Sequence, residues 1–399
     1  MRRRTFLSTA LLVPLSLRSR ESEASIAGDS TPPNGALALL NARLIDGTGG
    51  APILDGAVLV RDGRITAVGP SSTLDIPPDA QVHDLNGATV LPGFVNTHVH
   101  AAFSEYRLRA WAHDGVTTVR DLGADPKRPL FALRDGYATD QGCARLVAAG
   151  PMVTVPGGYP MVPWGSQSGL PVTSIADARE RVGRLLDNGA DLIKVAVESG
   201  GSFSRTIPTL SLGQLRAVVE VAHERGSRVS AHVLTSEDLE RALDGGVDDI
   251  AHMVTDLLAD RLVRRMVETQ TTWVPTLELW HGVRQDLGQV AISNLAKFVR
   301  AGGRVALGTD YAGYSSHFDL GMPMREIAWM EEAGMEPMGI IVAATREAAR
   351  VCNAESRFGT LEVGKGADLL VARGDPLADL RALQSVRMVI QRGSIIRGA

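Results

Sequence analysis

The sequence predicts an α/β fold: a (β/α)8 TIM-like barrel carrying a small β-sandwich domain built from both termini. Three observations lead there. Between about residues 91 and 353, short apolar strands alternate with segments of helical period, as in a parallel barrel. The stretches on either side are β-rich and punctuated by tight-turn pairs. Histidines, a lysine and an aspartate fall at the C-terminal ends of the barrel strands, where this architecture carries its active sites.

Residues 1–27 read as a signal peptide. Arg2-Arg3-Arg4-Thr5-Phe6-Leu7 precedes an apolar run over 10–17 and then small residues from Ala24 to Ala27. That is a charged n-region, a short h-region and a candidate cleavage site, too short for a spanning helix. Arg3-Arg4-x-Phe6-Leu7 is twin-arginine-like, so the expectation is twin-arginine export to the periplasm or beyond the cell, with no stable membrane insertion after the signal is removed.

Residues 28–90 are the N-terminal part of the β-sandwich. Ala38-Leu39-Leu40, Ala57-Val58-Leu59-Val60 and Ile65-Thr66-Ala67-Val68 read as strands, with Asp46-Gly47, Asp62-Gly63 and Asn86-Gly87 as turn or hairpin signals. Residues 356–399 complete it, through strands at Ala367-Asp368-Leu369-Leu370-Val371 and Val386-Arg387-Met388-Val389-Ile390 and a turn at Arg392-Gly393.

Residues 91–355 are the barrel. Strand one runs through Phe94 to His100, followed by Val116-Thr117-Thr118-Val119, Arg145-Leu146-Val147-Ala148 and Asp191-Leu192-Ile193-Lys194-Val195, the last preceded by a helix over 178–187. Leu215, Val218, Val219 and Ala222 lie at i, i+3, i+4 and i+7 on one helical face, with Gly226 placed to end the helix. The strands ending at His232 and His252 follow, with Leu239, Ala242 and Leu243 as the helical stripe between them. After a helix over 257–267 come Thr272-Trp273-Val274-Pro275, a helix over 295–300, and Val305-Ala306-Leu307-Gly308-Thr309-Asp310. The count is eight strands.

The composition agrees. At 399 residues with 44% apolar content, the chain is long enough for one large α/β domain or two smaller ones. A net charge of −4 without a long basic run argues against a nucleic-acid partner. Two cysteines, Cys143 and Cys352, exclude a disulfide scaffold and a thiolate zinc site.

The strand ends carry the chemistry. His98 and His100 project from the same face of strand one, because side chains alternate with period two. Lys194 lies on strand four, His232 ends strand five, His252 strand six and Asp310 strand eight. Each interrupts an apolar run, where a charge is costly unless it is paired or metal-bound. Together they can hold two divalent ions. A free ammonium cannot ligate, but a lysine carbamylated by carbon dioxide is a carboxylate able to bridge two cations.

These motifs resemble the amidohydrolase superfamily, in the branch of imidazolonepropionase-like proteins and metal-dependent Xaa-Pro or Xaa-Arg dipeptidases. The resemblance rests on Leu91-Pro92-Gly93-Phe94-Val95-Asn96-Thr97-His98-Val99-His100, Gly115-Val116-Thr117-Thr118-Val119-Arg120-Asp121, Ile193-Lys194-Val195, Ala231-His232, Ile250-Ala251-His252, Leu307-Gly308-Thr309-Asp310 and the C-terminal run from Gly359 to Leu369. It spans nearly the whole mature chain. It implies two divalent metal ions, zinc first among them, on His98, His100, Lys194, His232, His252 and Asp310, with Lys194 as the carbamylated bridge.

The expected chemistry is hydrolysis. A hydroxide shared by two cations is a nucleophile near neutral pH, because the metals lower the pKa of bound water from about 15.7 toward about 7. Asp310 is the expected catalytic acid–base, taking the proton and passing it to the leaving nitrogen of an amide-like C–N bond. The same site suits a lactone or a phosphotriester, and a dipeptidase or carboxypeptidase of Xaa-Pro or Xaa-Arg type is the alternative.

Two departures bear on substrate. Gly157-Gly158 is followed by Tyr159 where many relatives of that branch have His, and Leu234 stands where many have Tyr or His. The loop after strand three offers Met152, Val155, Tyr159, Met161, Val162 and Trp164 as packing or as an apolar lid. Tyr159, His281, Tyr311 and His317 are the expected substrate contacts, with Trp280 and Tyr314 beside them. A dipeptidase needs a cation for the substrate carboxylate, and Arg120 or Arg205 would supply it. His83, His113 and His223 lie off the strand ends and read as structural. The expected partner is a small-molecule substrate, and a homo-oligomer is compatible with the sequence. A metal-free binding protein on the same barrel is the competing class; the presence of all six ligand residues argues against it.

Overall fold

Short apolar runs set the first sheet. In the computed structural model, which describes residues 35–165, 168–201, 205–283, 285–313 and 318–398, β1 (Ala36–Leu44), β2 (Ile53–Arg61) and β3 (Arg64–Pro70) form an antiparallel meander. The expected signal peptide, and with it His317 and Tyr314, lies outside the described residues. Asp62 and Gly63 join β2 to β3 with φ of 52° and 75°, the two positive values a type I′ hairpin requires. β4 (Ala80–Asp84) and β5 (Thr89–Pro92) both run parallel to β1, so Asn86-Gly87 turns the chain between them without making a hairpin.

β6 (Phe94–Val99), β7 (Val116–Asp121) and β8 (Arg145–Ala148) form the first parallel staves of the barrel, with α1 (Glu105–His113) and α2 (Leu130–Tyr137) as their crossovers. The loop after β8 contains the two-residue strands β9 (Val153–Thr154) and β10 (Leu170–Pro171) and the short α3 (Met161–Trp164). After α4 (Ile175–Asp187) the barrel continues through β11 (Ile193–Ala196), α5 (Leu212–Glu224), β12 (Val229–His232), α6 (Ser236–Gly245), β13 (Asp249–Ala251), α7 (Asp260–Glu268) and β14 (Thr272–Val274). α5 shows why such a segment is a helix. Ser211 and Gln214 form a capping box at its start, Leu215, Val218, Val219 and Ala222 are buried, and Gly226 follows at φ 66°.

The eighth stave pairs through isolated bridges, Val305 with Trp273 and Tyr311 with Val99, and not through a ladder. Backbone bonds still close the ring: Ala306 N donates to Trp273 O (3.0 Å), Thr97 N to Leu307 O (2.9 Å) and Asp310 N to His98 O (2.8 Å). Gly308 permits this closeness, because a Cβ there would meet Val274 Cγ1 at 2.5 Å and His98 N at 2.9 Å. α8 (Leu277–Val283) and α9 (Gln285–Arg300) precede that stave, and α10 (Met324–Glu332), α11 (Pro337–Ala344) and α12 (Arg346–Val351) follow it.

The chain then returns to its first sheet. β15 (Leu369–Ala372) pairs antiparallel with β5, and β16 (Val386–Gln391) and β17 (Ser394–Arg397) extend the edge, giving eight strands drawn from both ends of the chain. This small β-sandwich has its own core, including Leu39, Val58, Ile65, Val371 and Ile390. A separate, larger core lies between the barrel staves and the helices around them.

Candidate metal centre

The barrel mouth collects side chains from five strand ends. His98 sits on β6, with His100 directly after it; Lys194 is on β11, His232 ends β12, His252 follows β13, and Asp310 follows the eighth stave. His252 and Asp310 have φ of 73° and 63°, in the left-handed region that non-glycine residues seldom adopt. The backbone bends out of strand geometry where each side chain must turn over the mouth, a form of strain that clusters at functional sites.

Two groupings result. One nitrogen each of His98 and His100 and a carboxylate oxygen of Asp310 all lie within 4.8 Å of one another. Asp310 Oδ1 is 3.1 Å from His100 Nε2 and 3.3 Å from His98 Nε2, yet its angles to them are not those of a hydrogen bond. Opposite, the His98, His232 and His252 rings approach one another, with centroids 4.7 Å apart for His98–His252 and 4.8 Å for His232–His252. Ring partners set the orientations: His100 Nδ1 donates to Gly123 O (3.1 Å), and His252 Nδ1 pairs with Thr276 Oγ1 (3.0 Å), which leaves Nε2 of each facing the mouth.

Electrostatics follow from burial. His98 is held well below the ordinary histidine range by burial and then by Lys194; His252 likewise by burial and then by His232. Burial lowers His232 as well. At His100 burial also acts downward, but the Asp310 carboxylate outweighs it and the net shift is upward. Burial pushes Lys194 down to about 7, with Arg120 acting in the same direction and Asp249 against it.

The donor set fits divalent cations. His98 Nδ1 and Nε2, Lys194 Nζ and Asp310 Oδ1 are buried without a hydrogen-bond partner, and so are His232 Nε2 and Glu198 Oε2, which face each other 3.7 Å apart beside the mouth. Native interiors rarely leave buried polar atoms unpaired, and here six belong to five side chains at or beside one mouth. Neutral imidazole and carboxylate oxygen are the donors zinc takes.

Beside the first grouping opens a cavity of about 470 Å³ lined by His100, Asp310, Met152, Tyr159, Lys127 and Ala312, among others. Tyr159 lies in this lining and stacks flat on His232, with centroids 4.1 Å apart and planes 14° apart. Two expected substrate contacts pack against other side chains. Tyr311 is 6% exposed and packs edge-on against Trp111 in the core, centroids 5.1 Å apart, because the bend at Asp310 carries the next side chain away from the mouth. His281 stacks on Trp329 of α10, 4.1 Å between centroids, and is absent from the lining of this cavity. Arg120, offered as a carboxylate anchor, is fully buried in a two-pronged ion pair with Asp249 (2.9 and 3.0 Å). Arg205 is exposed on the loop after β11.

Sequence reasoning missed Glu198, Thr276 and Asp249. Glu198 had a signal: it is an acid that ends the apolar run from Ile193 to Val197 just before Gly200-Gly201.

Comparison with known proteins gives concordant matches. The pattern of the amidohydrolase family fits residues 89–396, and that of an imidazolonepropionase-like composite domain of bacteria fits residues 56–74. The imidazolonepropionase of Symbiobacterium thermophilum is 27% identical over 365 residues, covering 80% of this chain and 84% of that protein. A prolidase solved with N-methylphosphonate-L-proline superposes with a TM-score of 0.78 at 25% identity, covering 91% of this chain and all of the other. A protein from Bifidobacterium longum described as a putative prolidase gives 0.77 at 29% identity, covering 92% and 95%.

Proposed function

The chain belongs to the amidohydrolase family and is a hydrolase acting on carbon–nitrogen bonds, and from that premise we propose that it cleaves an amide-like bond of a small, partly apolar substrate with two divalent cations, zinc by the donor chemistry. The observation that carries this reading is the convergence of unpartnered histidine, carboxylate and lysine atoms at the C-terminal mouth of the barrel. In it, His98, His100, Lys194, His232, His252 and Asp310 are the residues that would hold the cations, Lys194 as its carbamate. When bound, the cations supply Lewis acidity to a substrate carbonyl and lower the pKa of water from about 15.7 toward about 7.

Lys194 must first become a ligand. Its Nζ attacks the carbon of carbon dioxide; an N–C bond forms, one C–O π pair moves to oxygen, and the nitrogen passes a proton to solvent water, giving a carbamate. An Nζ that is buried, unpartnered and shifted down to about 7 supports this, because the neutral amine is the nucleophile. Asp310 Oδ1, at the junction of the first grouping and the cavity, takes the proton of the attacking water and returns it to the leaving nitrogen. Tyr159 holds the plane of His232 and forms one apolar wall.

Lys127 favours a second reading, an Xaa-Pro type dipeptidase. It lines the cavity, and its ammonium suits a substrate carboxylate where the buried Arg120 does not. Elemental analysis of the purified protein, with a hydrolysis screen over N-acyl amino acids, dipeptides, cyclic amides, lactones and aryl phosphotriesters, tests both readings. About two divalent cations per chain and chelator-sensitive C–N cleavage are expected. Lys194→Ala should lose cation and activity, with partial rescue by short-chain carboxylates. Metal-free protein with chelator-insensitive activity would overturn the proposal.

A further inference from the structure

His100 and His252 turn Nε2 to the mouth because a backbone carbonyl and a threonine hydroxyl occupy Nδ1. His232 is oriented the opposite way. Its Nε2 is buried and has no hydrogen-bond partner; the polar atom it faces is Glu198 Oε2, 3.7 Å away, also buried and also without a partner. Two orphaned atoms of complementary type, aimed at each other inside the protein, need a shift of only about 0.7 Å to reach hydrogen-bond distance.

Glu198 is held for such a role. Gly200 N donates to its Oε1 (2.6 Å), so that oxygen is occupied and Oε2 is the free one. The loop that carries it is fixed on both sides: Glu198 N donates to Thr209 Oγ1, Ser199 N and Oγ to Asp238 Oδ2, and Ile207 N to Ser199 O. Gly200 has φ of 97°, and a Cβ there would lie 1.9 Å from Arg205 O, so the turn admits only glycine. Tyr159, stacked on the ring face, sets the plane of His232 but leaves its rotation in that plane free. A partner at the ring edge removes that freedom.

We propose that Glu198 is the positioning residue of the second cation site: Oε2 accepts the Nε2–H of His232, fixes that tautomer, and leaves the Nδ1 lone pair as the one presented to the mouth. This rests on the two-cation reading above for its consequence, but not for the tautomer itself. Carboxylates that hold a ligating histidine in this way are worth about 10–100-fold in metal affinity. Glu198 is fully buried and absent from the cavity lining, so it acts through His232.

Glu198→Gln makes a sharp test. With its amide oxygen retained on Gly200 N–H, its NH2 faces His232 Nε2, which must then be the lone-pair nitrogen, and the proton moves to Nδ1. The first readout is nitrogen-15 NMR of the cation-free protein labelled at histidine, with His232 assigned by substitution. Wild type should give the Nε2–H tautomer and Glu198→Gln the Nδ1–H tautomer. The second is zinc titration: Glu198→Gln should weaken one of two equivalents by about 10–100-fold and leave the other unchanged, while Glu198→Asp should recover part of the loss. An Nδ1–H tautomer in wild type overturns the proposal even if the variant fails to fold. Unchanged binding of both equivalents in a folded Glu198→Gln also overturns it. Wild type that binds no zinc would instead sink the two-cation reading, with the tautomer result still deciding the contact.

Discussion

The barrel buries charge at two levels, and the two levels treat it differently. At and beside the mouth, His98, Lys194, Glu198, His232 and Asp310 leave six buried polar atoms without partners. Deeper in the barrel, Arg120 and Asp249 are both fully buried, yet neither contributes an orphaned atom. Arg120 grips both carboxylate oxygens of Asp249 and donates to Thr97 O (2.6 Å) and Val351 O (2.8 Å), and Ser230 Oγ donates to Asp249 Oδ1 (2.7 Å). A saturated pair has nothing left to bind and serves the shape of the barrel. Charges that converge and stay unsaturated cost stability unless a ligand completes them. The contrast separates framework from site more surely than burial does, since His98 and Lys194 are as fully buried as Arg120 and Asp249.

Substitutions that exchange the two behaviours probe the contrast. At the mouth, Asp310→Asn keeps size and an oxygen but removes the basic carboxylate, so turnover should fall by about 10²–10⁴-fold while the unfolding midpoint holds. The acid limb of the pH–rate profile should vanish or move, and cation content should fall less than in His98 variants. Near-normal turnover would show that the proton leaves by another route. In the deeper level, Asp249→Ala leaves the Arg120 guanidinium buried and uncompensated. Removing one partner of a buried pair costs about 3–5 kcal/mol, measured by denaturant unfolding of the cation-free protein. A midpoint unchanged from wild type would mean that the pair is no more structural than the mouth.

The sequence made the mouth legible because its residues end strands. Period two puts His98 and His100 on one face, and an apolar run interrupted by His232, His252 or Lys194 marks a stave without any knowledge of loops. Past a strand end that logic stops. Tyr311 follows Asp310 by one residue, but the positive φ at Asp310 breaks the alternation, so its ring could not be assigned to cavity or core. Glu198 lies two residues beyond β11, on a loop whose path depends on bonds to Thr209, Ile207 and Asp238, none of them adjacent in sequence. Arg120 was visible as a charge in a strand, but its partner is 129 residues away. α11 went unread for another reason: Pro337–Ala344 is apolar all round and offers no period.

A third group of buried charges, beside the mouth, falls between the two levels. Glu326 on α10 accepts the amides of Leu277 (2.9 Å) and Glu278 (2.7 Å), and Glu278 Oε1 accepts that of Asp319 (2.6 Å), which leaves only Glu278 Oε2 unpartnered. Burial, and after it the Glu326 and Asp319 carboxylates, push Glu278 up to about 9, with Arg325 opposing; burial pushes Glu326 up to about 8. In the unfolded chain both return to about 4.3. Between those values the native protein binds more protons than the unfolded one, so stability is fully present at low pH and is lost as pH rises through the window. Glu278→Gln fixes the neutral form and keeps an oxygen for the Asp319 amide. Its melting temperature should match wild type near pH 5 and exceed it at pH 9 by a few degrees, about 2–4 °C for each kcal/mol recovered. The difference should persist in chelator, because the group is saturated enough to need no cation. Parallel profiles would mean that Glu278 ionises near its ordinary value, and a difference abolished by chelator would assign this corner to the mouth.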